Sequence, residues 1–148
     1  MAQKYQLPEF LQGEIDLTRY RRWLERKAAA HCKRDRRRYA ESAVILADYK
    51  QRIHEAVCKS HGHDWYTGEM LRWDLLSKYD NEDSRAGRAT YKSEFALLPT
   101  VDHMMAGNGP YEFVICSWRT NDAKSDLSHE EFLALCCRVI EHHSKSQT

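Results

Sequence analysis

Two stretches decide the fold: Phe95-Ala96-Leu97-Leu98-Pro99-Thr100-Val101-Asp102-His103 and, a few residues later, Phe113-Val114-Ile115-Cys116-Ser117-Trp118-Arg119-Thr120-Asn121-Asp122-Ala123-Lys124. The first is an apolar run ending in two polar side chains, the pattern of a buried strand that delivers Asp102 and His103 at its edge. Between the stretches, Gly107-Asn108-Gly109-Pro110 is a turn signal, and Phe113-Val114-Ile115-Cys116 reads as a second strand. Together they predict an antiparallel hairpin. After Ser117-Trp118-Arg119 the pattern turns helical, and Asn121 and Lys124, three residues apart, share one face of a helical turn. The hairpin is therefore expected to project Asp102 and His103 toward Asn121 across a small cleft.

Moving outward toward the C-terminus, Leu127-Ser128-His129-Glu130-Glu131-Phe132 carries a capping box, with Ser128 as N-cap and Glu131 three residues later. The helix it starts has one apolar face, Phe132, Leu135, Cys136, Val139 and Ile140, which is expected to be buried. His142 and His143 suit its C-terminal end, and residues 144–148 are expected to fray.

Toward the N-terminus, residues 80–92 are polar, include Gly87 and predict a surface loop. Ser60-His61-Gly62-His63-Asp64 breaks a helix, and Trp65-Tyr66-Thr67-Gly68-Glu69 reads as a turn leading into apolar structure. His61 and His63 resemble a metal pair in spacing, but in a polar turn they are expected to face solvent. Before that break, no Gly or Pro occurs from Thr18 to His61, and helix formers dominate. Thr18 is the predicted N-cap. Tyr20, Trp23, Leu24, Lys27 and Ala28, then Leu46, Tyr49, Ile53 and Val57, give two helices, or one bent helix, each with a face to bury.

The first helix is strongly basic. Residues 19–38 hold ten Lys or Arg against only Glu25 and Asp35, although the whole chain of 148 residues has 23 basic and 22 acidic residues and a formal charge of +1. Such a patch is an electrostatic footprint for a polyanion, because each cation placed on a phosphate releases condensed counterions. Arg19, Arg22, Arg26, Lys33, Arg34, Arg36, Arg37 and Arg38 are the predicted contacts to a nucleic-acid backbone. The alternative is a solvated, charged helix face.

With 42% hydrophobic residues and 11% aromatics the chain can bury a core and is not expected to be disordered. No run approaches the ~20 apolar residues that span a bilayer, and the N-terminus lacks the apolar core of a signal peptide, so no membrane partner and a cytoplasmic location are expected. Cys32, Cys58, Cys116, Cys136 and Cys137 form an odd set without Cys-x-x-Cys, which predicts reduced, mostly buried thiols.

Val101-Asp102-His103, the loop, the Phe-Val-Ile-Cys strand and Asn121-x-x-Lys124 together resemble the HNH nuclease motif with its ββα-metal core. Tyr66-Thr67-Gly68-Glu69 is similar to the segment that precedes the motif in many members. The resemblance covers residues 97–127 directly. It implies an α+β fold with a mostly helical N-terminal part and a C-terminal ββα-metal hairpin-helix core. The expected organisation is a basic helical extension over residues 1–60 and a nuclease core over residues 61–148, packed as one unit.

The resemblance further implies a hydrolase that cuts phosphodiester bonds, with DNA as substrate. Such chemistry needs an activated water and charge neutralisation on the phosphate. Asp102 and Asn121 are then the two metal ligands and His103 the general base. Their hard oxygen donors suit one Mg²⁺ or Mn²⁺, and imidazole, with an unperturbed pKa of about 6.5, suits a base at neutral pH. Lys124 is a candidate phosphate contact or a solvated helix residue. The chain departs from the family in two ways. The motif's middle asparagine falls near Tyr111 or Glu112, with Asn108 as the substitute in the loop, and the cysteine pairs that bind structural zinc are missing, so no structural zinc is expected. Aromatic packing around Tyr66, Trp73 and Trp118 is expected to hold the hairpin instead. One motif per chain cuts one strand at a time, so a double-strand break needs a homodimer or two events. The competing expectations are a non-catalytic nucleic-acid-binding module on the same scaffold and a small helical adaptor whose basic face meets an acidic protein.

Overall fold

A computed structural model describes residues 4–38, 45–78, 92–104 and 112–146. The expected turn at Gly107-Asn108-Gly109-Pro110, the candidate positions Asn108 and Tyr111, and residues 80–91 of the expected loop lie outside the described residues.

The described fold is α+β. A 3-10 turn, Glu9–Leu11, leads into two helices, α1 (Leu17–Arg38) and α2 (Leu46–Ser60). A second 3-10 turn, Trp73–Ser77, precedes two strands, β1 (Pro99–His103) and β2 (Phe113–Ser117), and the helices α3 (Trp118–Lys124) and α4 (His129–Lys145) complete the order. The strands pair antiparallel, with Pro99 opposite Ser117, Val101 opposite Ile115 and His103 opposite Phe113. β1 is shorter than the apolar run that predicted it, because Phe95 to Leu97 form a turn closed by the Leu98 N–H on the Phe95 carbonyl.

Asp16, not Thr18, caps α1: its Oδ1 accepts the Arg19 N–H at 2.8 Å, and its carbonyl accepts the first helical bond from Tyr20. A carboxylate one residue before the helix satisfies an orphan donor and also favours the positive helix end. α2 ends at His61, whose φ of +48° leaves the helical region, and the next residue has to continue the reversal. Gly62 does so at φ +88°, where a Cβ would also lie 3.3 Å from the Phe10 ring. A residue with a side chain is strained there for both reasons.

The core forms where the two helices meet the hairpin. Leu11, Tyr20, Trp23, Leu24 and Ala28 join Tyr49, Ile53 and Val57 of α2, with Leu71, Trp73, Val101, Phe113 and Ile115 closing the cluster. Trp23 meets Trp73 edge-on at 5.7 Å and stacks with Tyr20 at 6.1 Å. The stripe read from α1 and α2 is thus the buried one, and one core cluster includes residues from both sides of position 60. A smaller cluster, Leu75, Phe95 and Leu98 with Trp118 against it, supports the other end of the hairpin.

The expectation for α4 differs from what is seen. Its capping box forms, with Ser128 N–H on Glu131 Oε2 at 2.8 Å and Glu131 N–H on Ser128 Oγ at 3.1 Å. Its apolar face is not buried, however: no residue of α4 is buried, and Phe132 and Cys136 are only half-buried.

Candidate active site

Alternation along β1 sends neighbouring side chains to opposite faces, so Asp102 and His103 enter different surroundings. Asp102, 7% exposed, accepts a hydrogen bond from the Tyr66 phenol at 2.6 Å and lies 3.3 Å from the Lys124 ammonium. Tyr66 comes from the turn after α2, and Lys124 from the last turn of α3. Burial, and then the Asp102 carboxylate, push the Tyr66 pKa up, which keeps the phenol protonated as the donor. Lys124 is itself buried at 4% exposure, so its charge is spent inside the molecule on Asp102 and not in a solvated helix face.

His103 faces α1. Its Nε2 lies 3.2 Å from Asp35 Oδ2, and the same oxygen accepts the Tyr49 hydroxyl at 2.5 Å. The ring packs between Phe113 at 4.8 Å and His31 at 5.0 Å between centroids. Burial lowers the His103 pKa most, and Asp35 raises it less, so the net shift is downward and the ring is neutral at neutral pH. With Nε2–H donating to Asp35, Nδ1 keeps a free lone pair in that tautomer.

A third carboxylate holds these parts in register. Asp64, 1% exposed, accepts the Ser117 N–H and the Thr120 hydroxyl on Oδ2, each at 2.9 Å, and the Tyr66 N–H on Oδ1 at 2.8 Å. It thereby joins the turn that carries Tyr66 to the junction of β2 and α3. Ser117 caps α3 by accepting the Thr120 N–H at 3.0 Å. On the exposed surface, Glu69 and Arg119 form an ion pair that clips the same turn to α3.

The predicted site residues are therefore grouped in part. Lys124 meets Asp102, and Asn121 sits half-buried one turn earlier on α3 with no hydrogen bond to Asp102 among the described residues. His103 faces α1 on the other side of β1, so Asp102 and His103 do not converge on Asn121 as expected. Of the basic residues, Arg19, Arg22, Arg26, Lys33, Arg34, Arg36, Arg37 and Arg38 are exposed on α1. Arg19 pairs with Asp16, and the run from Lys33 to Arg38 surrounds the position from which Asp35 reaches His103. Two other cations turn inward. Arg21 donates to the Tyr5 and Lys4 carbonyls, and Lys27 donates to Thr100 Oγ1 at 3.0 Å, its pKa pushed down to about 8 by burial and by Arg26. His61 is exposed and His63 half-buried, with its Nδ1 3.2 Å from the Gly68 carbonyl.

Sequence reasoning missed Asp35, Tyr49 and Asp64 as polar partners. Asp35 follows His31 by four residues and Ala28 by seven, on the stripe that α1 buries, and that placement is the signal that could have found it. Asp64 opens Asp-Trp-Tyr-Thr-Gly, a sequence suited to a side-chain-capped turn.

Asp102 carries a carboxylate and Asn121 an amide oxygen, donor types that a divalent ion takes, but among the described residues no hydrogen bond or contact brings the two together. Asp102 has a phenol and an ammonium on it, so a metal held there requires Lys124 to give way. Among the described residues no group of three or more His, Cys, Asp or Glu is arranged to hold a metal ion, and no helix is long and apolar enough to cross a membrane. Comparison of the chain with protein-family models, with curated proteins and with solved structures finds no match.

Proposed function

We propose that this protein is a metal-dependent endonuclease of the HNH type that hydrolyses phosphodiester bonds in DNA. The observation that carries the reading is a buried carboxylate followed by an imidazole at the end of β1, with that imidazole held through Nε2 by Asp35 from the basic helix. In this reading Asp102 and Asn121 hold one Mg²⁺ or Mn²⁺, which supplies charge neutralisation on the phosphate. His103, neutral and held by Asp35 on the α1 side of β1, is the base for a water that would have to lie round the strand end, between its Nδ1 and the Asp102 side. Lys124, released from Asp102, offers its ammonium to the phosphate. The exposed arginines of α1 hold the backbone of the substrate beside His103 and carry no sequence information of their own.

One feature favours a second reading, a non-catalytic nucleic-acid-binding module. Lys124 and Tyr66 already satisfy Asp102, which is the arrangement of a structural carboxylate. Supercoiled plasmid incubated with the protein in Mg²⁺ or Mn²⁺ separates the two. Nicked or linear product with wild type, lost at least about 100-fold in His103→Ala and abolished by EDTA, is the result expected of the nuclease. Metal-independent retardation of the plasmid at low salt with no cleavage is the result expected of the module.

A further inference from the structure

Helix α4 is amphipathic and uncovered. Leu133, Leu135, Val139 and Ile140 are 45%, 46%, 51% and 64% exposed, and they are four of the seven large hydrophobic residues that the described surface exposes. The helix touches the rest of the molecule through its first turn, with His129 on Trp65 at 4.7 Å and Phe132 on Tyr66 at 5.7 Å. At 3.6 residues per turn Phe132, Leu135, Cys136, Val139 and Ile140 form one stripe, while Glu130, Arg138, Glu141 and Lys145 lie on the other side. A helix gains most of its stability from burying such a stripe, so this one lacks its partner.

We infer that the partner is the same stripe of a second copy of this chain, with the two α4 helices antiparallel across a two-fold axis. The charge pattern selects that occupant. Glu130 and Glu131 lie in the first turn, and His142, His143 and Lys145 in the last. Antiparallel pairing sets the acidic end of each helix against the basic end of the other, and opposes the two helix dipoles favourably. Glu131 and His142 border the same edge of the stripe, beside Leu135, and in an antiparallel pair same-edge positions of the two copies meet. Each Glu131 then faces the other copy's His142, with Cys136 near the centre of the stripe. A parallel pair would set the two acidic ends at one level and align the helix dipoles unfavourably, and a partner of one charge would match one end and repel the other. The surface is self-complementary, as a two-fold interface has to be. A single stripe of this length buries less than the ~1,200 Å² of a standard interface, so the dimer depends on concentration.

Sedimentation equilibrium of the full chain, from micromolar to several hundred micromolar, tests this independently of any nuclease activity. The expected mass rises from 17.5 kDa toward twice that value. Val139→Asp and Ile140→Asp, at exposed positions that leave the circular dichroism spectrum unchanged, hold it at the monomer mass. His142→Glu places two carboxylates together and weakens association about fivefold. Wild type that stays at 17.5 kDa throughout, or a dimer that survives both aspartate substitutions, overturns the inference. A dimer indifferent to His142→Glu overturns the antiparallel arrangement, whatever the aspartate variants do to folding.

Discussion

Asp64 ties three segments together with one carboxylate: the turn at Tyr66 and Thr67, the end of β2 at Ser117, and the first turn of α3 at Thr120. Burial pushes its pKa up, but the hydrogen bonds to the charged form outweigh that and hold it below the ordinary aspartate value. The folded state therefore binds the Asp64 proton less readily than the unfolded chain. Its contribution is complete above the unfolded pKa and is lost as pH falls through the folded one. Asp64→Asn turns an amide N–H toward donors that need an acceptor, and is expected to cost about 3 kcal/mol. That corresponds to a fall of about 10 °C in Tm, measurable by calorimetry at pH 7. Because the wild-type bonds weaken on protonation, the gap between variant and wild type narrows below pH 4. A gap that is constant with pH would show that the charge on Asp64 does not matter.

At the scale of elements, the inner face of α1 against the hairpin is where pH enters most strongly. His31, 4% exposed, packs on His103 and Phe113. Burial first, then His103, Arg34 and Lys27, lower its pKa to about 3. The unfolded chain binds this proton with a pKa of about 6.5, so between those values the unfolded state holds more protons and stability rises with pH. The α1–hairpin contact is thus expected to lose about 2 kcal/mol between pH 6.5 and pH 5. His31→Phe removes the His31 share of that dependence and leaves the smaller one of His103, and urea denaturation of both proteins at the two pH values checks it. Equal acid sensitivity in the variant would place the loss elsewhere. This interface also explains why the hairpin was readable and its setting was not. The alternation around Val101 and Ile115 and the turn signals lie within short stretches of chain, whereas His31 and Asp35 reach His103 across about 70 residues of sequence.

At the scale of the whole molecule, the near-neutral total charge conceals a basic helix with outward arginines, which also carries Asp35, the partner of His103. If those arginines grip phosphates, the slope of log affinity for duplex DNA against log salt reports how many do so. Replacing Arg34 and Arg37 by alanine is expected to flatten that slope by about 2 while weakening binding to unrelated sequences equally. Titrations between low and moderate salt measure it, and an unchanged slope would remove this end of α1 from the interface. Arg21 and Lys27 are not expected to contribute, because their side chains are committed to backbone carbonyls and to Thr100.

The local order of this protein is written in its sequence. The apolar spacing of Tyr20, Trp23, Leu24 and Ala28 fixed which face of α1 is buried, and Ser128 with Glu131 fixed where α4 begins. Period and capping are properties of a few consecutive residues, and their physics needs no distant partner. The partners of each polar side chain were decided only in three dimensions. Nothing near Lys124 in the chain announces that its ammonium is buried on Asp102, or that Asp35 holds His103 and Asp64 holds Ser117. Such pairs depend on how two elements meet, and an ionised group can be buried only where the fold brings its partner. The exposed stripe of α4 shows the converse. Its sequence demands burial, and the tertiary structure of one chain does not provide it.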